Sequence, residues 1–391
     1  MRTRLTWSLP IASLLLTLAF LLSACSAGPA NPIPPPSATA ATPTPTGQDG
    51  KTPSPISPPK AATSAGQSGS LTGAGASFPY PLYAKWFDIY EQKTGVRINY
   101  QSIGSGGGIR QIAERTVDFG ATDAPMTDEQ LAAAPGPILH IPTVIGAVVV
   151  TYNLPGADAR LKLTPDALAS IFLGDIAKWD DPRLAQLNPE LKLPDAAIVV
   201  VHRSDGSGTT NIFTDYLSTV SPAWKQKVGK GTSVKWPVGL GAKGNEGVTG
   251  QVKQTPNAVG YVELAYAVQN KLPYAAIKNQ AGRFAEPTLE SVTAAAAGAA
   301  QAMPDDLRVS LVNAPGEASY PIAGFTYLLV YREQSDESKG KALVDFLWWA
   351  LDDGQTYAKD LLYAPLPAEV VQKAEARVSS ITYQGRPLRG T

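Results

Sequence analysis

The stretch that most restricts how this chain folds is His202-Arg203-Ser204-Asp205-Gly206-Ser207-Gly208-Thr209-Thr210. The apolar run Ile198 to Val201 before it predicts a buried strand. In the Asn211–Leu217 segment after it, Ile212, Phe213, Tyr216 and Leu217 share one helix face. The stretch is therefore a loop that opens a helix. A helix start offers unpaired N–H groups and a partial positive charge, which suits an anion. Gly206 and Gly208 permit close backbone approach, Ser207 and Thr209 add hydroxyls, and Arg203 adds a planar donor fork. A Ser/Thr-capped helix beside a solvated Arg is the plainer reading of the same residues.

Two more stretches repeat this grammar. Leu71 to Pro79 reads as a short strand and a small-residue turn that carries Ser77. Leu82, Trp86 and Ile89, with Tyr83, Phe87 and Tyr90 beside them, then predict a helix. Val96 to Tyr100 alternates as a strand, Ile103 to Gly108 is a Gly/Ser loop, and Ile109, Ile112, Ala113 and Val117 recur at helical spacing. That loop is neither a Walker phosphate loop nor a dinucleotide fingerprint, since it lacks the Lys-Ser/Thr ending and has Ile109 where a third glycine would fall. Asp123 follows a short apolar strand. Taken alone, it suits a turn or a cap before a helix starting near Asp128.

Composition limits what such loops can do. The 391 residues allow two domains, and 33 Lys+Arg balance 33 Asp+Glu, which argues against a nucleic-acid binder. Anion binding must then come from local donors. One cysteine, Cys25, and two histidines, His140 and His202, leave no internal disulfide and no zinc site of the usual kind. No cofactor is expected.

At the N-terminus, Arg2 and Arg4 precede an apolar run from Ile11 to Leu22, too short to span a bilayer comfortably and fitting a signal-peptide core. Leu22-Ser23-Ala24-Cys25 resembles the bacterial lipobox, in which the cysteine is lipidated and becomes the mature N-terminus. An ordinary signal peptide with a stray Cys is the alternative. Ser26 to Ser70 holds eleven prolines and three charged residues, which predicts a disordered linker. Wholly extended, it would reach ~140 Å; as a coil, ~40 Å.

Taken together, four stretches are specific: Gly73-Ala74-Gly75-Ala76-Ser77-Phe78-Pro79, Gly104-Ser105-Gly106-Gly107, Asp118-Phe119-Gly120-Ala121-Thr122-Asp123-Ala124-Pro125 and Arg203-Ser204-Asp205-Gly206-Ser207-Gly208-Thr209. In order and spacing they resemble the PstS-type phosphate-binding proteins of bacterial phosphate ABC transporters, as do Lys178-Trp179-Asp180-Asp181, Lys235 to Gly239 and Gly260-Tyr261-Val262-Glu263. The resemblance runs from Leu71 through the C-terminal region.

It implies an α/β, two-lobed periplasmic-binding-protein-like fold of type II, with two hinge crossovers and the ligand between the lobes. The implied organisation is a signal peptide (1–24), lipidated Cys25 with its linker (25–70), a first lobe (71–145 and 320–391) and a second (146–319). Ser77, Phe78, Ser105 and Asp123 would contribute from the first lobe. Arg203, Ser207, Gly208 and Thr209 would contribute from the second. The Ser and Thr residues would donate hydroxyls, most with their own N–H as well, and Phe78 and Gly208 backbone N–H groups. Asp205 would hold Arg203. Asp123 would accept the proton that phosphate carries near neutral pH and sulfate lacks. The implied partners are inorganic phosphate, a membrane permease that reads the closed form, and the outer face of the cell membrane through the lipid on Cys25. The body is expected to be a monomer, with no nucleic acid or metal bound. Gly106 stands where Ser is frequent, and His202 receives no role.

A hydrolase using Ser105 or Ser207 with His202 is the rival from another class. Neither serine lies in G-x-S-x-G, and His202 has no evident orienting partner. A sulfate binder and a surface adhesin are further alternatives. Elsewhere, Val144 to Tyr152, Asn257 to Val262 and Ile322 to Tyr331 predict strands. Thr164 to Phe172 and Pro287 to Met303 carry helix signals. Lys339 to Leu351 predicts a helix ended by Gly354, with Leu343, Phe346, Leu347 and Ala350 inward and Trp348 and Trp349 as packing residues.

Overall fold

The computed structural model describes residues 69–156, 159–301 and 303–389, all within one unit. The expected signal segment, Cys25 and the linker up to residue 68 lie outside the described residues.

The chain begins with β1 (Leu71–Gly75), α1 (Tyr80–Thr94), β2 (Ile98–Ser102), α2 (Ser105–Ala113), β3 (Phe119–Thr122), α3 (Asp128–Ala133) and the long β4 (Ile138–Asn153). A middle portion follows: β5 (Lys162–Leu163), α4 (Pro165–Leu173), α5 (Pro182–Leu187), β6 (Val199–Arg203), α6 (Gly208–Val220), α7 (Pro222–Lys227), β7 (Leu240–Ala242), α8 (Gly244–Gln254), β8 (Ala258–Glu263), α9 (Leu264–Gln269), β9 (Ala276–Lys278) and β10 (Phe284–Ala285). The chain returns through α10 (Leu289–Gln301), β11 (Ala323–Tyr331), α11 (Glu337–Leu351), α12 (Ala368–Ser379), β12 (Thr382–Tyr383) and β13 (Arg386–Pro387).

The main sheet has eight strands in the order β2-β1-β3-β11-β4-β8-β6-β7. β4 joins its halves. It pairs antiparallel with β11 from Ile138 to Ala147 and with β8 from Val148 to Asn153. Buried along nearly its whole length, β4 needs the near-continuous apolar sequence it has. β1, β2 and β3 run parallel on one side of this seam; β6, β7 and β8 run parallel on the other.

Each side has its own aromatic core. α1 buries Leu82, Tyr83, Trp86, Phe87 and Tyr90, a stripe at helical spacing that meets Phe346 and Trp349 of α11. Across the seam, Phe172 and Phe213 pack at 4.8 Å between ring centroids, and Tyr261 stacks on Phe213 at 4.4 Å. Truncating a buried aromatic such as Trp86 to Ala costs about 3–5 kcal/mol.

Several boundaries differ from the sequence reading. α6 starts at Gly208, four residues before the apolar period begins at Ile212, because Ser207 caps it by accepting the Thr210 N–H at 3.0 Å. Val117 lies beyond α2, whose end is marked by Arg115 in the left-handed region at φ 56°. Gly354 does not end α11. It lies in a following 3-10 turn, where its carbonyl accepts the Trp86 indole N–H at 2.8 Å.

Candidate functional site

In both halves the parallel strands end at the same face, where a helix or turn begins. β1 leads through Ser77 to α1, β2 to Ser105 at the start of α2, and β3 to Asp123. From the other half, β6 ends on Arg203 and leads to α6, and β7 leads to α8. At this edge an open α/β sheet presents the carboxyl ends of its strands, and it gathers the starts of α1, α2, α6 and α8. Ser77, Phe78, Ser105, Asp123, Arg203, Ser207 and Thr209 are all buried there.

The two sets of loops touch. The Gly106 N–H donates to the Gly206 carbonyl at 2.9 Å. The Gly208 N–H donates to Ser105 Oγ at 3.0 Å. Ser77 Oγ accepts from both the backbone N–H and Nδ2 of Asn245, at 3.1 and 2.9 Å. At position 208 only glycine fits, since a Cβ would lie 2.5 Å from both Asp123 Oδ2 and Ser105 Oγ. Gly208 departs from the expected donor scheme, since its N–H, the donor the resemblance implied, is given to Ser105 Oγ here; the Ser207 N–H goes to the Thr232 carbonyl at 2.8 Å. Phe78 is anchored through its carbonyl, which accepts the Tyr363 hydroxyl at 2.7 Å.

The site's charges are held differently. Arg203 makes a two-pronged pair with Asp205, Nε to Oδ1 at 2.7 Å and Nη2 to Oδ2 at 2.6 Å. Burial opposes the guanidinium charge, but the bonds and charge of Asp205 outweigh it and hold Arg203 above its ordinary value. Asp205 is held below its own, burial again being outweighed by Arg203. The Gly244 N–H steadies Asp205 Oδ1 at 3.1 Å.

Asp123 has no such ion pair in the structure. Its Oδ1 accepts the Thr326 hydroxyl at 2.8 Å. Burial pushes the carboxyl from 3.8 up to about 7, against the Thr326 hydroxyl, the Arg203 charge and the Ser105 hydroxyl. A cleft of about 600 Å³, lined also by Asn211, Asp215, Arg308 and Gly324, opens beside it.

Asn245 and Thr326 were not read from the sequence. β7 is only three residues long with Leu240 half exposed, so it gives no apolar signal; the cue was another Gly-bearing turn, Lys243-Gly244-Asn245. Thr326 lies in an apolar strand where Thr is an ordinary β-former. The β11–β4 register shifts between Thr326 and Tyr327, a bulge of the kind that re-aims a side chain. His202 lies apart from the hydroxyl cluster. Its ring stacks on Trp236 at 4.8 Å, and burial lowers its pKa. Among the described residues no group of His, Cys, Asp and Glu could hold a metal ion.

The PBP superfamily domain model matches residues 60–353. The phosphate-binding protein PstS of Pasteurella multocida is 50% identical over 312 residues, covering 80% of this chain and 90% of that protein. The protein of the same name from Methanocaldococcus jannaschii is 45% identical over 306 residues, covering 72% and 78%. Among solved structures, a phosphate-binding protein from Stenotrophomonas maltophilia superposes with a TM-score of 0.63 at 21% identity, over 78% of this chain and 93% of that one, and so shares the fold. The two-lobed α/β architecture, the sheet joined along β4 and these matches agree: the chain belongs to the PstS phosphate-binding proteins of the PBP superfamily.

Proposed function

We propose that this protein binds inorganic phosphate between two lobes and delivers it to the permease of an ABC importer, as a monomer tethered outside the cell membrane by a lipid on Cys25. One lobe comprises 71–145 and 320–391, the other 146–319. Ser77, Phe78, Ser105 and Asp123 meet the ligand from the first lobe; Arg203, Ser207, Gly208 and Thr209 meet it from the second.

The observation that carries this reading is Asp123 itself: a buried carboxyl, with no ion pair of its own, among hydroxyls and helix starts. Ionised, it repels a bare anion and welcomes one that still carries a proton, because that proton makes a charge-assisted hydrogen bond. Arg203 is charge-compensated by Asp205, so the remaining attraction comes from neutral donors and helix N-termini. Closure uses donors from both sides at once, which favours the closed form when ligand is bound.

The reading is non-enzymatic. His202, the only base the sequence offered to a serine, faces Trp236, and its Nδ1 lies 3.1 Å from the Arg203 carbonyl. Calorimetry of phosphate against sulfate on the body from Leu71 onward, at pH 8, tests the proposal. Tight phosphate binding with negligible sulfate binding is expected; equal affinities would refute it. Solution scattering should also show compaction on adding phosphate.

A further inference from the structure

We propose that Asn245 sets the donor polarity of the site: it fills the acceptor positions of Ser77 and Thr209, and so turns both hydroxyl protons toward the bound anion. The inference rests on the phosphate reading above and assigns a role to a residue outside the ligand contacts.

A hydroxyl has one proton and two lone pairs, so its direction depends on what already donates to it. Ser77 Oγ accepts the Asn245 backbone N–H at 3.1 Å and Asn245 Nδ2 at 2.9 Å. Thr209 Oγ1 accepts Asn245 Nδ2 at 3.0 Å and Arg203 Nη1 at 3.4 Å. Both oxygens therefore have their acceptor positions filled by N–H groups. What remains to each is its proton, which can only be given away. Ser77 belongs to the loops of one half and Thr209 to those of the other. One amide thus commits hydroxyls on both sides of the cleft to donation.

The amide cannot turn over. Asn245 Oδ1 accepts the Glu263 N–H at 2.9 Å, and a flip would set Nδ2 against that donor and Oδ1 against Ser77 and Thr209. Its position is fixed as well. Asn245 is fully buried at the second residue of α8, and its carbonyl accepts the Thr249 hydroxyl at 2.8 Å. Gly244 before it adopts φ 72° and reaches Asp205. Both Nδ2 hydrogens are used by Ser77 and Thr209, so Asn245 is a positioning residue and not a ligand contact.

The consequence is selectivity by polarity. Left free, a Ser or Thr hydroxyl donates or accepts as its partner requires, and it would tolerate a neutral guest that donates. Committed to donation, these two favour an oxyanion. A reversed hydroxyl would aim a lone pair at the anion.

Neutron diffraction of the wild-type protein crystallised with inorganic phosphate reads the protons directly and needs no variant. The Ser77 and Thr209 hydroxyl deuterons are expected on the phosphate side, with both Nδ2 deuterons of Asn245 on the two oxygens. Either hydroxyl deuteron pointing at Asn245 would overturn the inference. In solution, Asn245→Ala should lower phosphate affinity at least tenfold. In a Ser77→Ala, Thr209→Val background the same change should cost under twofold, because the hydroxyls it acts through are gone. An equal loss in both backgrounds, or no loss in either, would overturn it. If wild type itself fails to bind phosphate, the parent reading falls. If wild type binds and Asn245→Ala binds equally well, only this inference does.

Discussion

The two sides of the cleft are built by the same device and charged in opposite ways. On each, parallel strands hand the chain to helix starts that carry small residues and hydroxyls. The β6 side holds a cation locked to Asp205 by two short bonds. The β3 side holds an acid steadied only by neutral hydroxyls, Thr326 foremost, and by no ion pair. A compensated cation is indifferent to pH and to which anion arrives. An uncompensated acid responds to both. On the proposed reading the contrast divides the labour: one side supplies steady attraction, the other discriminates.

The largest effect should come from breaking the locked side. Arg203→Met leaves Asp205 without its partner in a largely buried place, where losing one member of an ion pair costs about 3–5 kcal/mol of stability. Phosphate affinity should fall roughly 10²–10³-fold. Adding Asp205→Asn should restore much of the stability and little of the affinity. Denaturant titration and calorimetry on the two proteins separate these outcomes. Affinity returning together with stability would show that the guanidinium serves only the fold.

Breaking the discriminating side should leave the fold intact. Asp123→Asn should narrow the phosphate-to-sulfate preference by about 10–100-fold, the worth of one hydrogen bond to a charged group. An unchanged ratio would refute the role given to Asp123. The same variant should be more stable than wild type without ligand at alkaline pH. The native carboxyl titrates at about 7 and the unfolded one near 3.8, so the native state holds the proton more tightly. That stabilisation is full below about pH 4 and lost as pH rises through 7, on the order of 2–4 kcal/mol at pH 8. The advantage of Asp123→Asn should therefore shrink to nothing on going down to pH 4.

The same contrast marks what the sequence could and could not tell. Ser77, Ser105 and the Arg203–Thr209 loop were legible because each follows a strand pattern and opens a helix pattern, and a chain-local rule reads such a junction. Asp205, as the holder of Arg203, came from the family resemblance and not from any chain-local rule. What escaped depends on pieces of chain meeting across the fold. Asn245 follows a strand too short and too exposed to give a signal, and its role exists only because Ser77 and Thr209 meet there. Thr326 reaches Asp123 across 203 residues, through a bulge that no periodicity records. The start of α6 was misplaced because its first turn is polar, and a cap, not an apolar stripe, defines it.

A gentler perturbation is pH itself. Sulfate has no proton to give, so it needs the protonated form of Asp123 as a donor. Above pH 7 the sulfate affinity of wild type should fall about tenfold per pH unit while phosphate affinity holds level. In Asp123→Asn that slope should vanish. Competition of radiolabelled phosphate by sulfate between pH 6 and 9 measures it, and a flat wild-type profile would place the discrimination elsewhere.

The smallest effect tests the support of the acid. Thr326 is fully buried, and its hydroxyl donates to Asp123 Oδ1, a bond that favours the charged carboxylate. Thr326→Val keeps the shape and removes the donor. The ionised form of Asp123 then loses about 1 kcal/mol of support, which raises its pKa by somewhat under one unit. The pH at which sulfate affinity begins to fall should move up by the same amount, with phosphate affinity at pH 8 reduced only a few-fold. Arg203, compensated by Asp205, gives no reason for such a shift. If the onset stays near pH 7 in the variant, the Thr326 bond does not tune the acid, and its sensitivity is set by burial with the Arg203 charge and the Ser105 hydroxyl.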